Sequence, residues 1–104
     1  MRFHPLQHIA ALAAVALFVC ACHGPAEHVV VMGAMTFDPP SLTIHSGDRV
    51  VWRNDDIVPH TVTAQGRFDS GQVPPGGTFK VTVSRDVDYG CTLHPIMRGR
   101  IVVQ

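Results

Sequence analysis

The chain has 104 residues, a length that allows one domain and excludes a multidomain protein. Its eight Lys and Arg residues balance eight Asp and Glu residues, so no net charge attracts nucleic acid or an anionic membrane. Apolar residues make up 46% of the chain and charged residues 15%, which excludes an intrinsically disordered protein.

The start of the chain has the pattern of a secretory signal peptide. An apolar run covers residues 9–21, follows a short basic segment and ends among small residues. A bilayer requires about 20 apolar residues, and this run is shorter. We therefore assign residues 1–21 to a signal peptide and expect a protein exported to the periplasm.

Two cysteines lie at the end of this apolar run. Val19-Cys20-Ala21-Cys22 resembles a bacterial lipobox, in which Cys22 would become the lipidated first residue of the mature chain. Residues 22–28 would then form a flexible linker. Cleavage after Ala26 without an anchor is the alternative. Membrane fractionation distinguishes the two possibilities, because a lipoprotein stays with the membranes and a chain cleaved without an anchor does not.

The rest of the chain, residues 29–104, reads as short strands separated by turns. Val50 and Trp52 alternate with more polar neighbours, and residues 79–84 repeat this two-residue period. Residues 60–64 and 100–104 are rich in β-branched side chains. Gly, Pro, Asn and Asp cluster between these segments. The pattern predicts an all-β domain built as a sandwich or barrel.

Cysteine usage points to a metal site. Cys91 is the single cysteine inside the predicted domain, so no internal disulfide can form. Cys91, His94 and Met97 follow one another at steps of three, and His60 precedes a predicted strand. Two imidazoles, a thiolate and a thioether form the donor set of a blue copper site. Zinc bound by two histidines and a cysteine, a cysteine nucleophile with a histidine base and a buried core thiol are the alternatives.

Several motifs in order resemble the small blue (type 1) copper proteins of the cupredoxin family, plastocyanin-like and amicyanin-like. The resemblance covers residues 29–104. It is carried by the segments Met35-Thr-Phe37-Asp-Pro39, Gly47-Asp48-Arg-Val50-Val-Trp52-Arg-Asn54, Pro59-His60-Thr-Val, Phe68-Asp-Ser-Gly, Tyr89-Gly-Cys91 and Cys91-Thr-Leu-His94-Pro-Ile-Met97-Arg-Gly. It implies a Greek-key β-sandwich of seven to eight strands that binds one Cu(I)/Cu(II) ion at one end.

The resemblance also implies roles for individual residues. His60, Cys91 and His94 match the three strong copper ligands, and Met97 matches the weak axial ligand. Asn54 matches an asparagine that ties the two ligand loops together, with Thr92 as its expected partner. Such hydrogen bonds around a metal site orient the ligands.

The family comparison places an apolar surface around an exposed His94. The expected docking patch consists of Met35, Val58, Pro59, Leu93, Pro95 and Ile96. A monomer that carries single electrons between redox proteins, such as a dehydrogenase, a cytochrome or an oxidase, would use such a patch. This function requires no enzyme activity and no contact with membrane beyond an anchor. The alternative is a copper-delivery protein that releases its metal.

Two residues depart from the family pattern. Gly90 precedes the cysteine ligand, where relatives carry a bulkier side chain, which puts an electron route beside that residue in doubt. Leu93 stands where amicyanin-like loops commonly have proline. We expect this change to loosen the loop that holds His94.

Overall fold

A computed structural model of the chain describes residues 2–3 and 24–104. Most of the predicted signal peptide, with Cys20 and Cys22, lies outside the described residues, so the predicted signal peptide and lipidation stay predictions. No helix in the described part of the chain has the length and apolar character needed to cross a membrane.

The described residues form strands and no helices. The strands are β1 (Glu27–Gly33), β2 (Thr36–Asp38), β3 (Ser41–Ile44), β4 (Asp48–Asn54), β5 (Thr63–Ala64), β6 (Phe68–Asp69), β7 (Thr78–Val83), β8 (Val87–Gly90) and β9 (Arg98–Val103). They make two mixed sheets, one in the order β2-β1-β4-β7 and the other in the order β3-β9-β8-β5-β6. β1 pairs in parallel with β4, and β3 pairs in parallel with β9.

This architecture confirms the predicted all-β sandwich. The structure describes nine strands, slightly more than the predicted seven to eight, because this number includes β5 and β6, which are only two residues long each. The core lies between the sheets and consists of residues on alternating positions of the strands. In β4, for example, Val50 and Trp52 are fully buried, as their alternation predicts.

The strand predicted over residues 60–64 is shorter in the structure. Only Thr63 and Ala64 belong to β5, and His60 forms an isolated bridge with Val73. The Thr61 N–H donates to the Sγ atom of Cys91 at 3.3 Å instead of joining a strand ladder. The backbone here is therefore committed to the neighbourhood of the predicted metal ligands.

At the opposite end of β1 and β4, Asp48 fastens the start of the domain. Its buried carboxylate contacts the Nε2 atom of His28 at 2.9 Å and accepts N–H bonds from Ala26 at 3.0 Å and His45 at 3.1 Å. Glu27 and His28 consequently pair with β4. The ordered domain thus starts within the stretch that the sequence assigns to a flexible linker.

These contacts make stability depend on acid pH. The hydrogen bond from His28, followed by those from Ala26 and His45, lowers the pKa of Asp48 from 3.8 to about 2. A carboxyl group whose pKa is lower in the folded state stabilises the fold above its unfolded pKa and loses that contribution as the pH falls. We expect the free energy of unfolding to fall between about pH 4 and pH 2.

Denaturant unfolding of wild type and Asp48→Asn across this range measures the effect. The Asn variant should be less stable at neutral pH and should lose less stability on acidification. Asp69→Asn is the control. Equal acid sensitivity in Asp48→Asn and wild type would contradict the role given to Asp48.

Candidate metal centre

The structure places His60 in the loop that follows β4 and holds it firmly. Its N–H donates to the carbonyl of Val73 at 3.2 Å, and its carbonyl accepts the Val73 N–H at 2.7 Å. The residue has no exposed surface. The backbone bonds on both sides therefore fix the direction in which the imidazole enters the interior.

Cys91, His94 and Met97 occupy the loop between β8 and β9. The Cys91 N–H donates to the Met97 carbonyl at 3.2 Å, and the Met97 N–H donates to the His94 carbonyl at 2.9 Å. Cys91 and Met97 are buried, whereas His94 is half-buried. The short spacing in sequence thus forms a closed loop with sulfur atoms inside and one imidazole near the surface.

The donor atoms of three predicted ligands lie together. The Nδ1 atoms of His60 and His94 are 3.1 Å apart, and the Sγ atom of Cys91 is 3.9 Å from the first and 3.6 Å from the second. Ligand atoms about 2 Å from a shared ion are separated by about 3.5 Å when they surround it in a plane. The cluster therefore fits one metal ion, and its N₂S set with a buried methionine in the same loop suits copper.

The surroundings of Cys91 favour its thiolate. Burial raises the pKa of the thiol, but the Thr61 N–H and the two imidazoles outweigh burial and lower the pKa to about 6. The N–H of Leu93 contributes in the same direction, which a proline at that position could not do because proline has no N–H. The thiolate is the form of cysteine that binds a metal.

The hydrogen bonds between the ligand loops differ from the expected ones. The side-chain amide of Asn54 donates to the carbonyls of Val58 and Val73, both at 2.9 Å. Its carbonyl oxygen accepts the Asp56 N–H. No donor of the Asn54 side chain is left for Thr92. Asn54 therefore organises the loop before His60, and the expected Asn54–Thr92 contact is replaced.

Thr61 connects the two ligand loops instead. Its hydroxyl oxygen accepts the Thr92 N–H at 2.8 Å and lies 3.1 Å from the Thr92 hydroxyl. Together with the Thr61 N–H on Cys91, these contacts join the residue after His60 to the residues at the start of the Cys91 loop. Thr61 was not predicted as part of the site, because a threonine in a β-branched run is typical of a strand.

Asp56 is a second residue that the sequence analysis missed. Its Oδ2 atom lies 2.9 Å from the Nε2 atom of His60, on the side of the ring opposite the metal-site donors. The hydrogen bond from His60, with smaller contributions from the N–H groups of Ile57 and Met35, lowers the pKa of the Asp56 carboxyl. A carboxylate four residues before a histidine was the available signal, but the Asn-Asp-Asp sequence reads as a turn.

Several residues of the predicted docking patch are exposed apolar side chains. Leu93 is 42% exposed and Ile96 83% exposed, and Met35 lines a shallow depression together with Ile96. Pro95 is also exposed, and Val58 and Pro59 are half-buried. Ile57, absent from the predicted set, is 91% exposed beside Val58. The patch as a docking surface stays a prediction.

Gly90 lies beside Cys91 at the edge of an open groove of about 420 Å³. A Cβ atom on Gly90 would lie 3.2 Å from the Met97 carbonyl oxygen, which is a tight contact. Gly90 itself therefore contributes no side chain to an electron route beside Cys91.

Comparisons with known proteins agree with this geometry. The family model described as copper binding proteins, plastocyanin/azurin family, matches residues 25–104. Amicyanin-alpha of Methylorubrum extorquens is 32% identical over 95% of this chain and 98% of its own length. The chloroplastic plastocyanin of Tetradesmus obliquus is 37% identical over 95% of this chain and 83% of its own.

Solved structures give the same result. The Cu(I) form of an amicyanin mutant superposes with a TM-score of 0.72 at 28% identity, covering 81% of this chain and 88% of the other. Copper, rather than zinc, is the metal that the matched family binds. With its β-sandwich and its His60, Cys91 and His94 cluster, the chain belongs to the copper-binding plastocyanin/azurin family and is a cupredoxin blue copper protein.

Proposed function

We propose that this protein carries single electrons between redox proteins in the bacterial periplasm. His60, Cys91 and His94 would be the strong copper ligands, with Met97 as the weak axial ligand. The observation that carries the proposal is the convergence of one thiol and two imidazoles, whose donor atoms all lie within 4.8 Å of one another. The resemblance to amicyanin and plastocyanin supports a carrier rather than an enzyme.

Bound copper supplies the one-electron Cu(I)/Cu(II) couple, and the chain supplies a site that changes little between the two states. The Val73 bridge fixes His60, and the Met97 carbonyl fixes the backbone of Cys91. Thr61 holds the two ligand loops together. Because the ligands have little freedom to rearrange, little energy is needed to reorganise the site when an electron arrives or leaves.

His94 is the point at which the site approaches the surface. It is half-buried, and its neighbours Leu93, Pro95 and Ile96 are exposed apolar residues. A redox protein that packs an apolar surface against this loop would come close to the metal ligand. Small apolar contacts of this kind form and separate quickly, as a monomeric carrier requires.

We infer export to the periplasm from the signal-peptide pattern, and a lipid anchor on Cys22 from the lipobox-like sequence. Asp48 fastens the start of β1, and the metal-site loops follow the other ends of β4 and β8. An anchor at Cys22 would therefore hold the domain by the end away from its metal site. A lipoprotein stays with membranes on fractionation, whereas a chain cleaved without an anchor is released with the soluble periplasm.

Titration of the purified domain with Cu(II), followed by repeated reduction and reoxidation, tests the proposed function. We expect an intense visible thiolate-to-Cu(II) absorption that saturates at one copper per chain and returns in every cycle, even with a Cu(I) chelator present. Loss of copper to the chelator after the first reduction would favour a copper-delivery protein. A colourless protein after copper addition would contradict a blue copper site.

Replacing Met97 tests the axial ligand. We expect Met97→Leu to keep the visible absorption, since the thiolate remains, and to raise the reduction potential, since a weak donor to Cu(II) is lost. Spectroelectrochemistry measures both properties. Met35→Leu, the same change at an exposed methionine, is the control. A potential equal to that of wild type in Met97→Leu would remove Met97 from the ligand set.

A further inference from the structure

The imidazole of His60 is held between two sets of groups. Its Nδ1 atom faces Cys91 and His94, and its Nε2 atom faces the Asp56 carboxylate at 2.9 Å. His60 is fully buried, and the Asp56 side chain is 16% exposed. The contact between Asp56 and His60 is therefore largely shielded from water. A charged hydrogen bond is stronger in such a low-dielectric environment than in water.

The Asp56 carboxylate is fixed by groups other than the imidazole. Its Oδ1 atom accepts the Ile57 N–H at 2.8 Å, and its own N–H donates to the Asn54 side chain at 2.9 Å. The N–H of Met35 also contributes to lowering the pKa of the carboxyl. Met35 lies in the turn between β1 and β2, in the left-handed region with a φ of 60°, which non-glycine residues seldom adopt. Asn54 and Ile57, on either side in sequence, thus hold Asp56 in place.

We propose that Asp56 is a positioning residue for the electron-transfer site. By accepting a hydrogen bond from Nε2 of His60, it keeps the proton on that nitrogen and leaves the Nδ1 lone pair directed toward Cys91 and His94. Its negative charge also stabilises Cu(II) more than Cu(I), because the interaction grows with the charge at the site. This inference depends on the proposed function, in which His60 is a copper ligand.

The reduction potential distinguishes this role from a structural one. Asp56→Asn preserves the shape of the side chain and removes its charge. Mutation of a residue that is hydrogen-bonded to a metal ligand lowers metal affinity by about tenfold or more, and because Asp56→Asn removes a negative charge, the loss should fall mainly on Cu(II). We expect the Cu(I)-to-Cu(II) ratio in a fixed redox buffer to rise about tenfold, which corresponds to about 59 mV for one electron.

Asp55→Asn is a matched control for this measurement. It removes the same charge from the adjacent residue, whose exposed carboxylate pairs with Arg53 at 2.8 Å. We expect its potential to stay close to that of wild type. Equal shifts of the reduction potential in the two variants would mean that Asp56 acts only through overall charge, and this result would overturn its role as a positioning residue. An unchanged potential in Asp56→Asn would overturn it as well.

Metal-free protein gives a second readout. In the NMR spectrum of wild type, the Nε2 proton of His60 should give a ring N–H resonance that exchanges slowly with solvent, because the ring is buried and its proton is hydrogen-bonded. Asp56→Ala removes the acceptor and should abolish this slow exchange, while the backbone amide spectrum remains that of a folded domain. A ring proton equally protected in Asp56→Ala would also overturn the inference.

These outcomes separate the inference from the proposed function. If wild type shows no blue absorption with copper, the proposed function fails, whatever the potentials of the variants. If wild type is a blue copper protein and both Asp56 variants behave like it, the proposed function stands and the role of Asp56 is wrong.

Discussion

Cys91→Ser should abolish the visible absorption of the copper-loaded protein. The absorption arises from a thiolate bound to Cu(II), and a serine hydroxyl is both harder and far less acidic than the Cys91 thiol, whose pKa lies at about 6. Optical titration with Cu(II) measures this loss. Circular dichroism and the backbone amide NMR spectrum of the metal-free variant show whether the fold is retained.

Cys22→Ser is the matched control for this experiment. It replaces the cysteine that would remain in addition to Cys91 if residues 1–21 are removed as predicted, and it should leave the absorption of the copper site intact. The Cys91 assignment would be wrong if the band persisted in Cys91→Ser or disappeared only in Cys22→Ser.

Gly99→Ala should destabilise the fold strongly. Gly99 pairs with Tyr89 across β8 and β9, and a Cβ atom on Gly99 would overlap the ring of Tyr89. That ring is 3% exposed and packs edge-on against Phe37 and Trp52, with centroid distances of 4.7 and 5.2 Å. Because the ring can make room for a methyl group only by losing its packing against Phe37 and Trp52, we expect a loss of about 3 kcal/mol in the free energy of unfolding.

Gly33→Ala is the control for the strand position. Gly33 lies at the end of β1, and a Cβ atom there would meet no heavy atom within 4 Å. The free energy of unfolding of Gly33→Ala should differ from that of wild type by less than about 1 kcal/mol. Denaturant unfolding of the three metal-free proteins measures the difference. A Gly99→Ala domain as stable as Gly33→Ala would falsify the proposed packing of Tyr89.

The tyrosine and the metal site belong to one connected unit. Tyr89 lies two residues before Cys91 on β8, and burial raises the pKa of its hydroxyl to about 12, so the ring stays neutral in the core. A displaced Tyr89 would shift the end of β8 from which the Cys91 loop begins. The copper site therefore depends on packing within the sandwich as well as on its ligands.

Features that depend on short spacing could be predicted from the amino-acid sequence alone. Alternation placed Val50 and Trp52 in the core, and the steps of three from Cys91 to Met97 formed one closed loop. The ordered motifs, read as a family resemblance, added His60 to that loop. The first two predictions agree with the structure because strand alternation and loop closure are governed by neighbours within a few residues, whereas the position of His60 came from the resemblance alone.

Tertiary structure decided how the site is supported. Thr61, and not Asn54, meets Thr92, and Asp56 meets the outer nitrogen of His60. The first contact joins residues 31 positions apart in the chain. The second requires the turn around Asp56, which the Asn54 side chain helps to hold. A sequence shows which side chains can accept a hydrogen bond, but packing between distant segments decides which donor each one receives.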